Sequence, residues 1–170
     1  AAVRLLGLAH RDLGAGLTGF EVMGQFALAL VARHYAQQRV PLFQDTPYCV
    51  LLENADNESE DHARERFGHL LETAMELGCV TDAVVAENLA QADALWHVRE
   101  SIPLAQAEEG LNIKHDISVP VSRIPAFCAE TDALLAHEIP GVRLVNFGHL
   151  GDGNLHYNVQ APAGVDGVAF

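Results

Sequence analysis

The alternation of apolar and polar positions predicts a series of helices and strands in the first half of the chain. Residues 15–19 form a flexible, glycine-containing segment, and residues 20–37 then carry apolar side chains at helical spacing, which predicts a first helix. After two prolines, residues 48–54 (YCVLLEN) form an apolar and β-branched run of strand length. A second helix is predicted within residues 57–78.

This second helix has the clearest boundaries in the sequence. Ser59 is a candidate N-cap, acidic residues occupy the first turn where the helix dipole favours them, and Gly78 is suited to end the helix. The apolar side chains between these ends are spaced for one buried face: Phe67, Leu70, Leu71 and Met75.

The second half of the chain alternates between strands and helices. The predicted elements are a strand at 80–88, a helix at 90–110 interrupted or kinked at Pro103, a strand at 112–120, a helix from Ser122 to His137 with Pro125 in its first turn, and strands at 141–150 and 154–161. This order predicts an α+β fold of ferredoxin-like type. Repeated β-α-β units would form a mostly antiparallel sheet covered by helices on one face. We expect residues 1–170 to form a single domain.

Composition and charge exclude several classes of partner. The chain is 49% hydrophobic and carries a formal net charge of −13 with no cluster of Lys or Arg. Such a chain folds as a globular protein, but it repels the phosphate backbone of a nucleic acid and an anionic membrane surface. Its longest apolar stretch, residues 26–32, is far shorter than the roughly 20 residues that cross a bilayer.

The cysteines indicate a reducing compartment. Cys49, Cys79 and Cys128 are widely spaced and form no CxxC motif, so we interpret them as buried or half-buried thiols and not as a disulfide or a catalytic nucleophile. This predicts a cytoplasmic protein, or a mitochondrial matrix protein if the source is eukaryotic. Because the chain starts without Met and stops after a loop-like segment, we expect it to be a fragment of a longer protein.

The segment GHLGDGNLHYN, residues 148–158, carries the most informative chemistry. Asp152 and Gly153 favour a two-residue type I′ hairpin, which would pair His149 directly with His156. Directly paired side chains lie on one face with Cβ atoms about 5 Å apart, so both imidazoles could bind one metal ion. A tight turn with two partly exposed histidines fits the same residues, and nothing adjacent supplies a third ligand. Spacing alone leaves both interpretations open.

Three motifs resemble one family of flavoenzymes. NFGHLGDGNLHYNV at 146–159, LWHVRES at 95–101 and KHDISVP at 114–120 are similar to the C-terminal, substrate-binding domain of the FAD-linked oxidases. This is the D-lactate dehydrogenase, glycolate oxidase and D-2-hydroxyglutarate dehydrogenase group of the vanillyl-alcohol-oxidase superfamily. The similarity extends over residues 18–159, which is most of the chain.

The resemblance implies a role for five residues. His149 and His156 match ligands of a divalent metal, zinc or manganese. Arg99, Lys114 and Asn158 match substrate contacts; their alternatives are an ion-paired helix arginine, a surface lysine and a strand-edge hydrogen bonder. The third metal ligand and the general base belong to a later Gly-Glu-His segment that the sequence does not reach, so no catalytic residue is expected within it.

The resemblance also implies an activity. The full-length protein would be an FAD-dependent dehydrogenase or oxidase that converts a D-2-hydroxy acid of the lactate, glycolate or 2-hydroxyglutarate type to the 2-oxo acid. FAD would be bound mainly by a separate FAD-binding domain of the same protein, and electrons would pass to a further acceptor. The fragment alone would be inactive. The alternative is a non-catalytic ferredoxin-like module for small-molecule binding or oligomerisation, because fold class alone fits both.

Overall fold

The computed structural model describes residues 1–165, and within them five helices and six strands form an α+β fold. The helices are α1 (Ala2–Leu13), α2 (Gln25–His34), α3 (Glu60–Glu76), α4 (Leu89–Glu108) and α5 (Ile124–Glu138). The strands are β1 (Leu17–Gly24), β2 (Tyr48–Asn54), β3 (Asn112–Ile113), β4 (Asp116–Ser118), β5 (Arg143–His149) and β6 (Asn154–Gln160).

The strands form one antiparallel sheet in the order β2-β1-β5-β6-β3, and β4 also pairs with β6. β1 is therefore an internal strand, bonded to β2 on one edge and to β5 on the other. The predicted α+β class and antiparallel sheet are confirmed.

Helices cover both faces of the sheet, whereas we expected them on one. Phe20 and Val22 of β1 pack with α1 and α3, while Met23 of the same strand packs with α2, α4 and Phe147 of β5. Strands that are buried on both faces carry continuous apolar runs. The segment FEVM in β1 is buried at every position and apolar at all but Glu21, and two separate cores form on opposite sides of the sheet.

The same apolar run explains why the start of the chain was wrongly predicted. Residues 15–24, read as a flexible segment followed by helix, contain the strand β1, and the helix begins only at Gln25. A strand buried on both faces does not alternate between apolar and polar residues. Its sequence pattern therefore does not distinguish it from the start of a buried helix. Helix α1 was not predicted at all, although Leu5, Ala9 and Leu13 lie one helical turn apart on its buried face.

The middle of the chain follows the prediction more closely. β2 matches the predicted strand, the Ser59 side chain caps α3 by accepting a hydrogen bond from the N–H of His62, and α4 continues through Pro103. The predicted strand at 80–88 is wrong, because this segment is irregular and leaves Val84 and Val85 each 53% exposed.

Two later boundaries also differ. The predicted strand at 112–120 is two short strands, β3 and β4. The helix predicted to begin at Ser122 begins later: Ser122 lies in a 3-10 turn, and α5 starts at Ile124 with Pro125 in its first turn. Within residues 1–165, none of the helices is long and apolar enough to cross a membrane.

Candidate functional site

The turn between β5 and β6 is longer than the predicted two-residue hairpin. Leu150–Asp152 form a 3-10 turn and Gly153 adopts the left-handed conformation, with φ 74°. The ladder consequently pairs Phe147, and not His149, with His156. The type I′ turn at Asp152 and Gly153 and the direct His149–His156 pair are therefore wrong.

The corrected register still keeps both histidines on one face of the sheet. A shift of two residues preserves the face to which a side chain points, whereas a shift of one would reverse it. His149 now lies two residues beyond Phe147, at the end of β5, where it pairs with Glu21 of β1. The structure thus brings His149 and His156 together by a different pairing from the one that the sequence predicted.

Glu21 is the buried centre of this cluster. It is 1% exposed, and its two carboxylate oxygens have different partners. Oε2 accepts a hydrogen bond of 2.7 Å from Nε of Arg99, whereas Oε1 contacts Nδ1 of His149 without forming a hydrogen bond among the described residues. Sequence reasoning missed Glu21; its signal is a carboxylate in the middle of an apolar strand, which is rarely buried unless it is paired.

Arg99, on the helix α4 that covers this face of the sheet, approaches the histidines across an aromatic ring. Its guanidinium lies 4.9 Å from the centroid of the Phe147 ring, within the range of a cation–π interaction. The Phe147 ring in turn stacks on the His156 imidazole at 4.6 Å between centroids, with the planes inclined by 30°. Glu21, Arg99, Phe147 and the two histidines therefore form one contiguous cluster from three strands and α4.

The surroundings of His156 favour its neutral form. Burial lowers the pKa of this imidazole, and the nearby Arg99 guanidinium lowers it further, against the raising effect of Asp116 and Glu21. A neutral imidazole has a lone pair available for a metal ion or an acidic proton.

Lys114 and Asn158 lie beside the cluster at one edge of the sheet. Lys114 is exposed in the link between β3 and β4, and the register on both sides places it opposite Asn158. Asn158 is buried; its Oδ1 accepts from the backbone N–H of His115 and its Nδ2 donates to Gln106. Asn158 thus attaches the link that carries Lys114 to α4. The second hydrogen of Nδ2 could still be donated to a substrate. The contact of Asn158 with substrate stays a prediction.

Comparison with known proteins identifies the family. The sequence profile of FAD linked oxidases, C-terminal domain, matches residues 1–168. The chain belongs to this family. The resemblance inferred from the three motifs is confirmed.

Several curated relatives of this FAD-linked oxidase domain are D-2-hydroxyglutarate dehydrogenases. The enzyme of Xanthomonas citri pv. viticola is 44% identical over 148 residues, covering 86% of this chain and 30% of the relative. The mitochondrial enzymes of Arabidopsis thaliana and Rattus norvegicus are 33% and 35% identical over 93% and 89% of this chain, and 28% of each relative is covered. The domain thus spans less than a third of the length of these relatives.

The two histidines of the FAD-linked oxidase domain have the donor atoms that a divalent ion would need, but they would be only part of its ligand set. Within the described part of the chain, Nε2 of neither His149 nor His156 has a hydrogen-bonding partner, and both side chains are partly exposed. No group of three His, Cys, Asp or Glu side chains in residues 1–165 is arranged to hold a metal. Among the described residues, a divalent ion at this place would therefore have these two imidazoles and no third ligand of these types.

The cysteines of the domain lie apart from this cluster. Cys49, Cys79 and Cys128 are free and half-buried. Burial raises the pKa of the Cys49 thiol, and raises that of Cys128 to about 11. These two thiols stay protonated at neutral pH, where a thiol is a poor nucleophile.

Proposed function

We propose that this domain forms the substrate side of the active site of an FAD-dependent oxidoreductase that oxidises a D-2-hydroxy acid to the 2-oxo acid. The observation that carries the proposal is the juxtaposition of Arg99 with two imidazoles in a domain of the FAD-linked oxidase family. The relatives favour D-2-hydroxyglutarate over the lactate and glycolate types as the substrate.

Arg99 is suited to receive the carboxylate next to the hydroxyl group of such an acid. Its Nε is bonded to Glu21, whereas its two Nη groups have no hydrogen-bonding partner among residues 1–165. Two parallel N–H groups match the two oxygens of a carboxylate, and the side chain is only 12% exposed, which strengthens a charge-assisted hydrogen bond. Arg99 would thereby orient the Cα hydrogen of the acid.

Lys114 supplies a second cation near the same edge. A 2-hydroxyglutarate molecule has two carboxylates, and the exposed ammonium of Lys114 on its flexible stem suits the second. Asn158, beneath the link that bears Lys114, would contribute its remaining amide hydrogen to the substrate. In a chain with net charge −13, these local cations attract an anionic substrate to one place on the surface.

His149 and His156 would hold a zinc or manganese ion together with ligands from outside the described residues. Such an ion, when bound, acts as a Lewis acid toward the hydroxyl group of the substrate. The lowered pKa of His156, caused first by burial, keeps this imidazole unprotonated and available as a ligand at neutral pH. The general base is proposed to lie outside this chain.

FAD would be held mainly by a separate domain of the same protein and would accept the electrons of the substrate. A further electron acceptor would then reoxidise it. We propose that residues 1–170 are one domain of that longer flavoenzyme, located in the cytoplasm or the mitochondrial matrix, and that the domain alone has no turnover. The mitochondrial names of the plant and animal relatives favour the matrix for a eukaryotic source.

The activity is tested by anaerobic bleaching of flavin absorbance in the full-length protein. D-2-hydroxyglutarate is expected to bleach the flavin faster than D-lactate or glycolate, and L-2-hydroxyglutarate serves as the stereochemical control. Binding of the acids without any flavin reduction would contradict the proposal and support the non-catalytic binding module.

The ligand role is tested by metal content. His149→Ala and His156→Ala are each expected to lower bound zinc or manganese, because each removes one imidazole of the set. His137→Ala is the matched control, since His137 is an exposed histidine on α5 that contacts Glu138. Unchanged metal content in both site variants would reject the assignment.

A further inference from the structure

We propose that Glu21 is a positioning residue that simultaneously fixes His149 as a metal ligand and Arg99 as a carboxylate receptor. The inference rests on the proposed function and deepens it, because it assigns one residue of β1 to both halves of the site. Glu21 itself would touch neither the ion nor the acid.

Strand pairing on both sides holds the backbone of Glu21 in place. Its backbone lies in the internal strand β1, paired with Leu51 of β2 on one side and with His149 of β5 on the other. Its side chain is 1% exposed, so it has no access to bulk water. A carboxylate held in this way is a fixed anion with one oxygen aimed at each of two functional side chains.

Toward His149, the contact selects one tautomer of the imidazole. Oε1 of Glu21 is a buried acceptor without a hydrogen-bonding partner among the described residues, and it lies against Nδ1. Because a carboxylate accepts but does not donate, a proton on Nδ1 of the ring is the one that would satisfy this oxygen. The lone pair is then on Nε2, the nitrogen without a partner among the described residues. A carboxylate on the far nitrogen also raises the basicity of a ligating imidazole and holds the ring in orientation.

Toward Arg99, the contact selects one edge of the guanidinium. Oε2 of Glu21 bonds Nε at 2.7 Å, and the Phe147 ring supports one face of the group at 4.9 Å. Rotation about the last bonds of Arg99 would break one contact or the other. The two Nη groups are therefore presented as a fixed fork, which lowers the conformational entropy lost when a carboxylate binds.

The ion pair with Arg99 also offsets the unfavourable free energy of burying the Glu21 carboxylate. An isolated carboxylate in a protein interior is strongly unfavourable, whereas a paired and hydrogen-bonded one is tolerated. The cation of Arg99 compensates this charge. Metal affinity and substrate affinity consequently depend on the same anion, and its removal should weaken both.

The test is the variant Glu21→Gln in the full-length protein. Mn²⁺ is titrated and its free concentration is followed by electron paramagnetic resonance, without substrate, and KM for D-2-hydroxyglutarate is measured separately. Loss of an outer carboxylate typically costs a metal site about 10- to 100-fold in affinity, and we expect a weakening of Mn²⁺ binding in this range together with a raised KM.

Glu109→Gln is the matched control. Glu109 is another carboxylate held by two arginines and a histidine, but at the junction of α2, α4 and β5, away from His149. It should leave Mn²⁺ affinity and KM unchanged even if it lowers stability. If Glu21→Gln fails to fold, the double variant Glu21→Gln/Arg99→Gln removes both charges together, and its Mn²⁺ affinity is expected to be lower for the same reason.

A metal-free measurement separates this inference from the proposed function. The ¹⁵N shifts of the His149 ring are expected to report a proton on Nδ1 in the native protein and a mixture of tautomers in Glu21→Gln. Failure of the native protein to bind Mn²⁺ would overturn the ligand assignment, but the ring shifts would still decide the role of Glu21. Unchanged ring shifts and unchanged KM in a folded Glu21→Gln would overturn the inference.

Discussion

The turn between the two histidines requires glycine at position 153. A Cβ atom at this position would lie 2.1 Å from the carbonyl oxygen of Val119, and the backbone has a φ of +74°. Neither the distance nor the dihedral angle suits a residue with a side chain. At Gly151, two positions earlier, a Cβ would meet nothing within 4 Å.

The two glycines should therefore respond very differently to alanine. Gly153→Ala is expected to cost roughly 3 kcal/mol or more, since the clash involves a backbone atom that cannot move away, whereas Gly151→Ala should stay within about 0.5 kcal/mol. Urea unfolding of both variants checks this. Equal losses of stability would contradict the described turn.

Arg99→Lys is a second test at the scale of the residue. Lysine keeps the charge but loses the bond from Nε to Glu21 and the fork of two Nη groups. We expect KM for the acid to rise by about 10- to 100-fold, which corresponds to the roughly 1.5–3 kcal/mol of a hydrogen bond to a charged group. Steady-state kinetics on the full-length protein measure it, and Arg33→Lys at the exposed end of α2 is the control.

Residue chemistry was partly readable from the sequence. The 148–158 segment pointed to His149 and His156, and the motif LWHVRES pointed to Arg99, because these residues belong to local patterns. Glu21 could not be assigned in this way, since its partners lie 78 or more residues away and only the sheet brings them together. The register of the turn was also missed, because a 3-10 turn and a type I′ turn accept the same glycines.

Among the secondary-structure elements, Glu109 connects three that are distant in sequence. It follows α4, and it accepts hydrogen bonds from Arg33 and His34 at the end of α2 and from Arg143 at the start of β5. Burial alone would raise the pKa of Glu109, but the bonds from His34, Arg143 and Arg33 outweigh it and lower the pKa to about 2. The carboxylate thus remains charged at pH values below the ordinary pKa of 4.5, until the pH approaches about 2.

This shift predicts a pH-dependent contribution to stability. A folded pKa below the ordinary value of 4.5 stabilises the protein above pH 4.5, and this stabilisation disappears as the pH falls toward 2. Glu109→Gln should lose about 1–3 kcal/mol near neutral pH, and the difference from the native protein should shrink below about pH 4. Urea unfolding across this pH range measures it; a difference that grows in acid would contradict the network.

The boundaries of elements were best predicted where local chemistry decides them. Ser59 caps α3 through the N–H of His62, as its position before acidic residues indicated. The helix predicted from Ser122 has no such side-chain cap, and the 3-10 turn at Val121–Arg123 occupies its predicted start. The irregular segment 80–88 has β-branched residues but pairs with no strand among the described residues, and pairing partners are not encoded locally.

At the scale of the whole molecule, the strong negative charge follows directly from the amino-acid composition. The formal net charge of −13 is spread over a domain whose surface has few cations. Repulsion between like charges opposes the compact state, and dissolved salt screens it. The location of the two cores, in contrast, depends on a sheet assembled from distant segments, which is why helices on one face were expected and helices on both were found.

We therefore expect sodium chloride to stabilise the domain. Raising its concentration from about 20 mM to about 300 mM shortens the screening length from roughly 20 Å to less than 8 Å, and Tm should rise by about 2–4 °C for each kcal/mol gained. Differential scanning calorimetry checks this. Glu76→Lys, which relieves an exposed acid in the last turn of α3, should raise Tm at low salt and have less effect at high salt. A Tm that falls with salt would contradict the argument.

Because β1 is paired on both edges, it should open far less often than the turn that follows His149. An internal strand exchanges its amide protons only through large, cooperative openings, whereas chain ends and turns open locally and often. Glu21 belongs to the first class and the turn after His149 to the second. Local fluctuations can therefore detach the imidazole from its anion while the anion itself stays in place, and each reclosing returns the ring to the same carboxylate.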